Sequence, residues 1–323
     1  LKNTQSVPVG SLDMAHMFPM DFEEFLYANG VGSELIEAMR DNFNKNTALS
    51  EALHEKMLDF FKKYLLVGGL PQAVDKYVKE RNVVEFRNIQ REVHSMYAID
   101  ASKYEQEHNR RLKIRRIFEM VPSNLENKKK RLVIKDIENK SWKRSNDYSD
   151  EFEYLVSAGV VLEAKAISKP SYPLLENSGK NLMKLYLNDV GMLSGIFYRN
   201  NILAIMSDMR SINLGSVYET VVAQELRAHG YDLYYYDNKK NGEVDFLIDD
   251  PDNLSNIPIE VKSGKDYTVH SALDKFLSIA EYGVRRAYVL SNERDVYVKN
   301  GITYIPIYYI MFFENVSNVV ESL

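Results

Sequence analysis

The fold of this chain is decided by two short strings, Glu243-Val-Asp-Phe-Leu-Ile248 and Pro258-Ile-Glu-Val-Lys-Ser-Gly264. Residues 244–248 and 257–261 are β-branched and apolar runs that are typical of strands, and the turn-rich stretch 249–256 lies between them, so the two strands are predicted to pair. Residues two apart on a strand share a face. Glu260 and Lys262 are therefore expected to point the same way and to face Asp245.

A helix is predicted immediately before these strands, in Gly215-Ser-Val-Tyr-Glu-Thr-Val-Val-Ala-Gln-Glu-Leu-Arg-Ala-His-Gly230. Apolar residues recur in it at helical spacing, and Gly230 ends the pattern. Glu219 would project from the first turn, and Asp245 would lie on the first strand. The sequence thus places three carboxylates and one lysine on adjoining elements.

These residues form the set that a metal-dependent phosphodiesterase needs. Mg²⁺ typically takes one or two protein carboxylates, so Asp245 and Glu260 are predicted ligands for Mg²⁺ or Mn²⁺, with Glu219 as a further ligand. Asp245, Glu260 and Lys262 are the predicted catalytic residues, with Lys262 orienting a water or neutralising developing charge. Glu243 and Gln224 are weaker candidates for the same site. The competing interpretation is that these are solvated strand residues paired with a nearby lysine.

The pattern resembles the PD-(D/E)xK nuclease superfamily, with Asp245 as the acid of the first motif, Glu260 and Lys262 as the second motif, and Glu219 as the helical acid. The surrounding residues are also similar to the C-terminal domain of a prokaryotic family of predicted AAA-type ATPases. The stretches that carry this second resemblance are 217–226, Tyr234-Tyr-Tyr236, 243–246 and 259–264.

The same ATPase family is suggested by stretches across the rest of the chain, namely 8–10, 18–26, Tyr64-Leu-Leu-Val-Gly-Gly-Leu-Pro71 and Leu185-Tyr-Leu-Asn-Asp-Val-Gly-Met-Leu193. A Walker A loop of the form Gly-x4-Gly-Lys-Ser/Thr does not occur in this sequence. We therefore expect a product of a longer gene, in which ATP binding belongs to an N-terminal core and no residue here binds a nucleotide cofactor. Relatives of this type often form rings, so assembly into a homo-oligomer is one further hypothesis.

The resemblance implies a mixed α+β fold in three parts. Residues 1–82 would hold the end of the ATPase core and a helical lid, residues 83–198 a winged-helix-like domain, and residues 199–323 a restriction-endonuclease-like α/β sandwich. The predicted winged-helix-like outline has a helix ending near Val121-Pro122, a short helix over 134–139, a third helix over 147–158 and a hairpin over 160–187. The C-terminal part is predicted to end in a helix over 271–282 and strands over 286–290 and 302–310.

Basic residues are concentrated in the middle segment. Between residues 110 and 144 there are 13 Lys or Arg against four Asp or Glu, although the whole chain has a net charge of −5. Such a patch favours non-specific contact with the phosphate backbone, and the predicted contacts are Arg110, Arg111, Arg115, Lys128, Lys129, Lys130, Arg131, Lys143 and Arg144. The acidic third helix argues against sequence-specific reading of DNA. A solvated charged surface is the other interpretation.

Composition excludes several classes of protein. The chain has no cysteine, so disulfides, thiolate catalysis and cysteine-ligated zinc are ruled out, and a reducing cytoplasm is the expected compartment. No apolar run approaches the roughly 18 residues of a membrane span. Two functions are therefore carried forward: Mg²⁺-dependent cleavage of DNA, and a catalytically idle nuclease fold that binds nucleic acid or a partner protein for the ATPase.

Overall fold

The computed structural model describes residues 16–103, 107–127, 130, 135–138, 145–177, 182–207 and 214–315. Within these ranges it contains twelve α-helices and one eight-stranded mixed sheet. The predicted mixed α+β fold is therefore confirmed. No helix among the described residues is both long enough and apolar enough to cross a membrane.

The first part of the described chain is helical, as predicted. Asp21 caps the first helix through a reciprocal capping box with Glu24, and Pro71 opens the fourth. Gly68 adopts a φ of 70°, which ends the third helix. The helices are α1 (Phe22–Ala28), α2 (Ser33–Asn44), α3 (Glu51–Val67) and α4 (Pro71–Glu80).

The middle part contains the predicted short helix, third helix and hairpin. Its elements are α5 (Val83–Lys103), α6 (His108–Glu126), α7 (Lys135–Glu138), α8 (Ser149–Ser157), β1 (Val161–Ile167) and β2 (Met183–Leu187). The predicted end of a helix near Val121-Pro122 is wrong, because α6 continues through Pro122 to Glu126. Val121 and Pro122 are both buried there, and this packing outweighs the backbone hydrogen bond that a proline cannot donate.

The hairpin is followed by three helices, α9 (Val190–Tyr198), α10 (Leu203–Met206) and α11 (Gly215–Ala228), of which α9 lies in the predicted middle part. The remaining elements are β3 (Leu233–Asn238), β4 (Gly242–Asp250), β5 (Ser255–Val261), α12 (Ser271–Leu277), β6 (Tyr288–Ser291), β7 (Tyr297–Lys299) and β8 (Ile302–Pro306). The predicted helix over 271–282 ends at Leu277, and a separate 3-10 turn follows. The predicted final strand ends at Pro306 and continues as a buried 3-10 helix over Ile307–Phe312.

The strands form one sheet in the order β2-β1-β3-β4-β5-β6-β8-β7. The predicted pairing of the two site-bearing strands is confirmed, since β4 and β5 are antiparallel neighbours with Phe246 opposite Ile259. The hairpin β1–β2 joins the same sheet, because β1 runs parallel to β3 with Ala164 opposite Leu233. The sheet therefore brings side chains of the predicted middle domain next to those of the predicted nuclease-like domain, whose boundaries remain predictions.

Helix α11 is fastened by a junction between distant stretches of chain. The Gly69 amide donates to Asp189 Oδ2 at 2.7 Å, and the Val190 amide donates to the side-chain oxygen of Gln224, on α11, at 2.9 Å. A Cβ at Gly69 would lie 2.0 Å from the carbonyl oxygen of Met20, so only glycine fits this approach. Four of the stretches that resemble the ATPase family meet here, since Met20, Gly69, Asp189 and Gln224 each lie in a different one, and the Val190 amide holds α11 in place.

Candidate functional site

Glu219 projects from the first half of α11 toward the sheet and is 4% exposed. Its Oε1 contacts the ammonium of Lys130, which follows α6. Its Oε2 accepts a hydrogen bond from the Tyr186 hydroxyl at 3.2 Å and lies 3.6 Å from the ammonium of Lys184. Both carboxylate oxygens therefore face cations or donors contributed by the middle segment of the chain.

Asp245 and Glu260 lie on the neighbouring strands β4 and β5. Asp245 Oδ2 accepts a hydrogen bond from the Val261 amide at 2.8 Å, which fixes this carboxylate against the end of β5. Glu260 is 7% exposed, and its Oε1 accepts from the Lys262 ammonium at 2.8 Å. The expectation that Glu260 and Lys262 share a face is confirmed. Glu260 Oε2 is buried and has no hydrogen-bond partner among the residues the structure describes.

Burial and mutual repulsion perturb these carboxylates. Burial, and then the negative charges of Glu260 and Glu219, raise the pKa of Asp245 well above its ordinary value. Burial also raises the pKa of Glu260, although Lys262 acts in the opposite direction. Glu219 differs from both: burial raises its pKa, but Lys184 and Lys130 lower it by more, so its pKa falls below the ordinary value. The neighbouring lysines thus outweigh burial and favour the charged form of Glu219, whereas burial and repulsion disfavour the charged forms of Asp245 and Glu260.

Sequence reasoning missed Lys184, which lies on β2 and is fully buried. Its ammonium is 2.7 Å from Glu243 Oε1 and 4.7 Å from the centre of the Tyr235 ring. Burial lowers the pKa of Lys184, but the surrounding Tyr186 and carboxylates raise it by more, so the pKa lies well above the ordinary value. The only available signal was a lysine inside an otherwise apolar strand, and nothing in the sequence indicated which carboxylates it meets.

The two weaker candidates have different environments. Glu243 belongs to the carboxylate cluster through its contact with Lys184. Gln224 belongs to the junction that fastens α11, where its amide nitrogen donates to the Tyr64 hydroxyl at 2.8 Å. His270, which was not among the predicted site residues, interacts electrostatically with Glu260, and its Nε2 lies 2.6 Å from the Tyr304 hydroxyl.

Some of the predicted phosphate contacts form ion pairs within the protein, and others lie outside the described residues. Arg110 lies 3.5 Å from Asp150 on α8, Arg115 pairs with Glu119 at 2.8 Å, and Arg111 is partly buried. Lys130 is the one that reaches the carboxylate cluster within the described chain. Lys128, Lys129, Arg131, Lys143 and Arg144 lie outside the described residues. Acids on the same and neighbouring helices thus neutralise part of the basic run.

The arrangement fits a two-carboxylate cation site better than a three-carboxylate one. Among the described residues, no group of three or more His, Asp or Glu side chains is arranged to hold a metal ion. Mg²⁺ keeps several waters and needs only one or two protein carboxylates. Asp245 and Glu260 are the pair that could hold such an ion, because they repel each other and one buried Glu260 oxygen has no hydrogen-bond partner in the part of the chain that the structure describes. The oxygens of Glu219 are engaged by lysines, and its predicted role as a third ligand remains a prediction.

Comparison with known proteins finds two family models that match parts of the chain. A domain of unknown function (DUF8612) matches residues 58–201, and a second domain of unknown function (DUF4143) matches residues 214–310. The second is a domain found at the C-terminus of AAA-ATPase-associated proteins, which agrees in outline with the resemblance seen in the sequence. No curated protein and no solved structure matches the chain.

Both matched regions contribute residues to the candidate site. Glu219, Asp245, Glu260 and Lys262 lie within the second matched region, whereas Lys130 and Lys184 lie within the first. The ion pairs of Glu219 therefore cross from one matched region to the other. This explains why a reading of the C-terminal motif alone could not find the complete cluster.

Proposed function

We propose that this chain is the C-terminal part of an AAA-type ATPase and carries a Mg²⁺-dependent site for phosphodiester hydrolysis on DNA. One observation supports this most directly. The carboxylates of Asp245 and Glu260 repel each other, and Glu260 keeps a buried oxygen without a hydrogen-bond partner among the described residues. A buried, unsatisfied carboxylate oxygen is costly unless a cation completes it.

Each side chain has a definite role in this proposal. Asp245 and Glu260 would hold Mg²⁺ or Mn²⁺, which when bound would supply charge stabilisation to a phosphate and lower the pKa of a bound water. The Val261 amide keeps Asp245 oriented. Lys262 lies 2.8 Å from Glu260 and would donate to an attacking water or to a phosphate oxygen. Glu219 and Lys184 set the charge around the pair, and the basic middle segment would contribute contacts to the DNA backbone.

A second function has an observation in its favour. Glu219 is already neutralised by Lys130 and Lys184, and Glu243 is paired with the same buried Lys184. A cluster balanced by internal lysines holds together without a metal. The alternative is therefore a catalytically idle module that binds nucleic acid or a partner protein while the ATPase performs the regulated step.

Calorimetric titration of Mg²⁺ and Mn²⁺ separates the two functions when plasmid cleavage is measured in parallel. Asp245→Asn and Glu260→Gln keep the shape of the site but remove its charge, and each is expected to abolish both metal binding and cleavage. Asp249→Asn is the matched control on the same strand, since Asp249 accepts a hydrogen bond from the Leu174 amide that asparagine preserves. Metal binding or cleavage that survives in Asp245→Asn would refute the proposed site.

A further inference from the structure

The two lysines that contact Glu219 differ in their access to solvent. The Lys184 side chain is fully buried, whereas the Lys130 side chain is 17% exposed. Each contacts a different oxygen of the same carboxylate: Lys184 lies 3.6 Å from Oε2, and Lys130 contacts Oε1. Lys130 therefore covers the solvent side of the carboxylate cluster, and Lys184 closes its inner side.

The end of α6, four residues before Lys130, is fastened to α11. Glu126, the last residue of α6, accepts a hydrogen bond from the Ser216 hydroxyl in the first turn of α11 at 2.7 Å. The Lys130 amide then donates to the carbonyl oxygen of Asn127 at 2.8 Å, and Lys130 itself has a φ of 48°. A left-handed conformation is uncommon for a lysine and persists where surrounding contacts impose it. The end of α6 and the ammonium of Lys130 are thus both held against α11.

Glu219 does not depend on Lys130 alone for its partners. Its Oε2 keeps the Tyr186 hydroxyl and the buried Lys184 ammonium if Lys130 moves away. Lys130 also interacts electrostatically with Asp245, so its charge acts on the predicted metal pair as well. The partly exposed lysine is therefore the member of the cluster that can be exchanged without leaving a buried carboxylate unpaired.

We propose that Lys130 closes the candidate site in the absence of substrate, and that a DNA phosphate draws its ammonium away from Glu219. The same side chain then excludes a divalent cation from the carboxylates in the resting protein and binds the DNA backbone in the complex. This inference rests on the proposed function and adds to it a coupling between DNA contact and opening of the site.

The test compares Lys130→Met with Lys113→Met in the full chain. Lys113 is the matched control, because it also belongs to the basic segment and faces a glutamate, Glu138 at 3.5 Å, but has no contact with Glu219. Binding of Mn²⁺ alone is measured by calorimetry, and binding of a short fluorescent DNA duplex without metal is measured by anisotropy. Lys130→Arg keeps the charge, and circular dichroism checks that each variant is folded.

Lys130→Met is expected to bind Mn²⁺ about tenfold more tightly than the unmodified chain, because an ammonium that repels the cation is gone. The same variant is expected to bind the duplex more weakly, and Lys113→Met and Lys130→Arg should change the Mn²⁺ affinity little. Opposite changes in the two affinities are not produced by a lysine that is merely structural.

Unchanged or weaker Mn²⁺ binding in a folded Lys130→Met would overturn the inference, and so would the absence of Mn²⁺ binding from both proteins. Stronger Mn²⁺ binding with unchanged DNA binding would overturn the DNA-linked part. Plasmid that stays intact with every variant, while the two affinities still change in opposite directions, would support the gate and refute the proposed nuclease. The two proposals can therefore fail separately.

Discussion

His229, at the end of α11, provides the sharpest quantitative prediction for this fold. Its Nδ1 lies 2.8 Å from the carbonyl oxygen of Phe313, and its Nε2 lies 3.3 Å from Asp21 Oδ2. Both neighbours are hydrogen-bond acceptors, so the ring satisfies both only when it carries two protons and a positive charge. The contact ties the first helix and the end of the described chain to α11.

The expected effect follows from the pKa of His229. Burial lowers this pKa, but the hydrogen bond to Asp21 and the charges of Glu225 and Asp21 raise it by more, from 6.5 to about 9. One pKa unit corresponds to about 1.4 kcal/mol, so the folded state gains on the order of 3 kcal/mol from this group. Because the folded pKa is raised, that gain is fully present below about pH 6.5 and is lost as the pH rises toward 9.

Glu225 acts in the same direction. Burial and the charge of Asp21 raise its pKa from 4.5 to about 8, with His229 opposing them. The folded chain therefore releases a proton from this carboxyl later than the unfolded chain does, and stability falls as the pH rises through that range. Asp21 has a lowered pKa: burial raises it, and His229 and backbone amides lower it by more, so its contribution is lost in acid instead.

The measurement is a proton NMR titration of the histidine rings, with His229→Gln assigning the resonance. The chain has only six histidines, which makes the spectrum tractable. We expect one ring to titrate near pH 9. We also expect the free energy of unfolding in urea to fall between about pH 6 and pH 9, and to fall by more in the unmodified chain than in His229→Gln. A His229 midpoint at or below 6.5, or equal pH dependence of unfolding in both proteins, would refute the reasoning.

Three further predictions concern the junction and the cluster. Gly69→Ala should lower the melting temperature strongly, because the added Cβ meets a backbone oxygen at 2.0 Å. Gly32→Ala is the control, since a Cβ there meets nothing within 4 Å and should change the melting temperature little. Equal melting temperatures of the two variants would contradict this. The Mn²⁺ affinity measured by calorimetry should increase with pH, because the pKa values of Asp245 and Glu260 are raised and both groups must lose their protons to bind a cation. An affinity that does not depend on pH would be inconsistent with these two ligands. Lys184→Met should cost about 3–5 kcal/mol in chemical unfolding, since it leaves buried carboxylates without their counter-ion, and a loss below about 1 kcal/mol would show that the ammonium is dispensable.

The local features of the fold were predictable because they depend on near neighbours in the chain. The helix predicted to end at Gly230 is present as α11, and the strands that became β4 and β5 were placed with the correct pairing. Errors occurred where packing outweighed local preference. Helix α6 runs through Pro122 because that turn is buried, and the final predicted strand gives way after Pro306 to a 3-10 helix whose residues are all buried.

The sequence by itself predicted the mixed α+β fold and proposed Glu219, Asp245, Glu260 and Lys262 as candidate site residues, because helical and strand periodicity fix which side chains share a face. The tertiary structure alone decided their partners. Lys130 and Lys184 reach Glu219 across 89 and 35 positions of the chain, since the hairpin β1–β2 joins the sheet beside β3 and the end of α6 is fastened to α11. Charges that act over a few ångströms depend on such long-range contacts, and no local pattern encodes them.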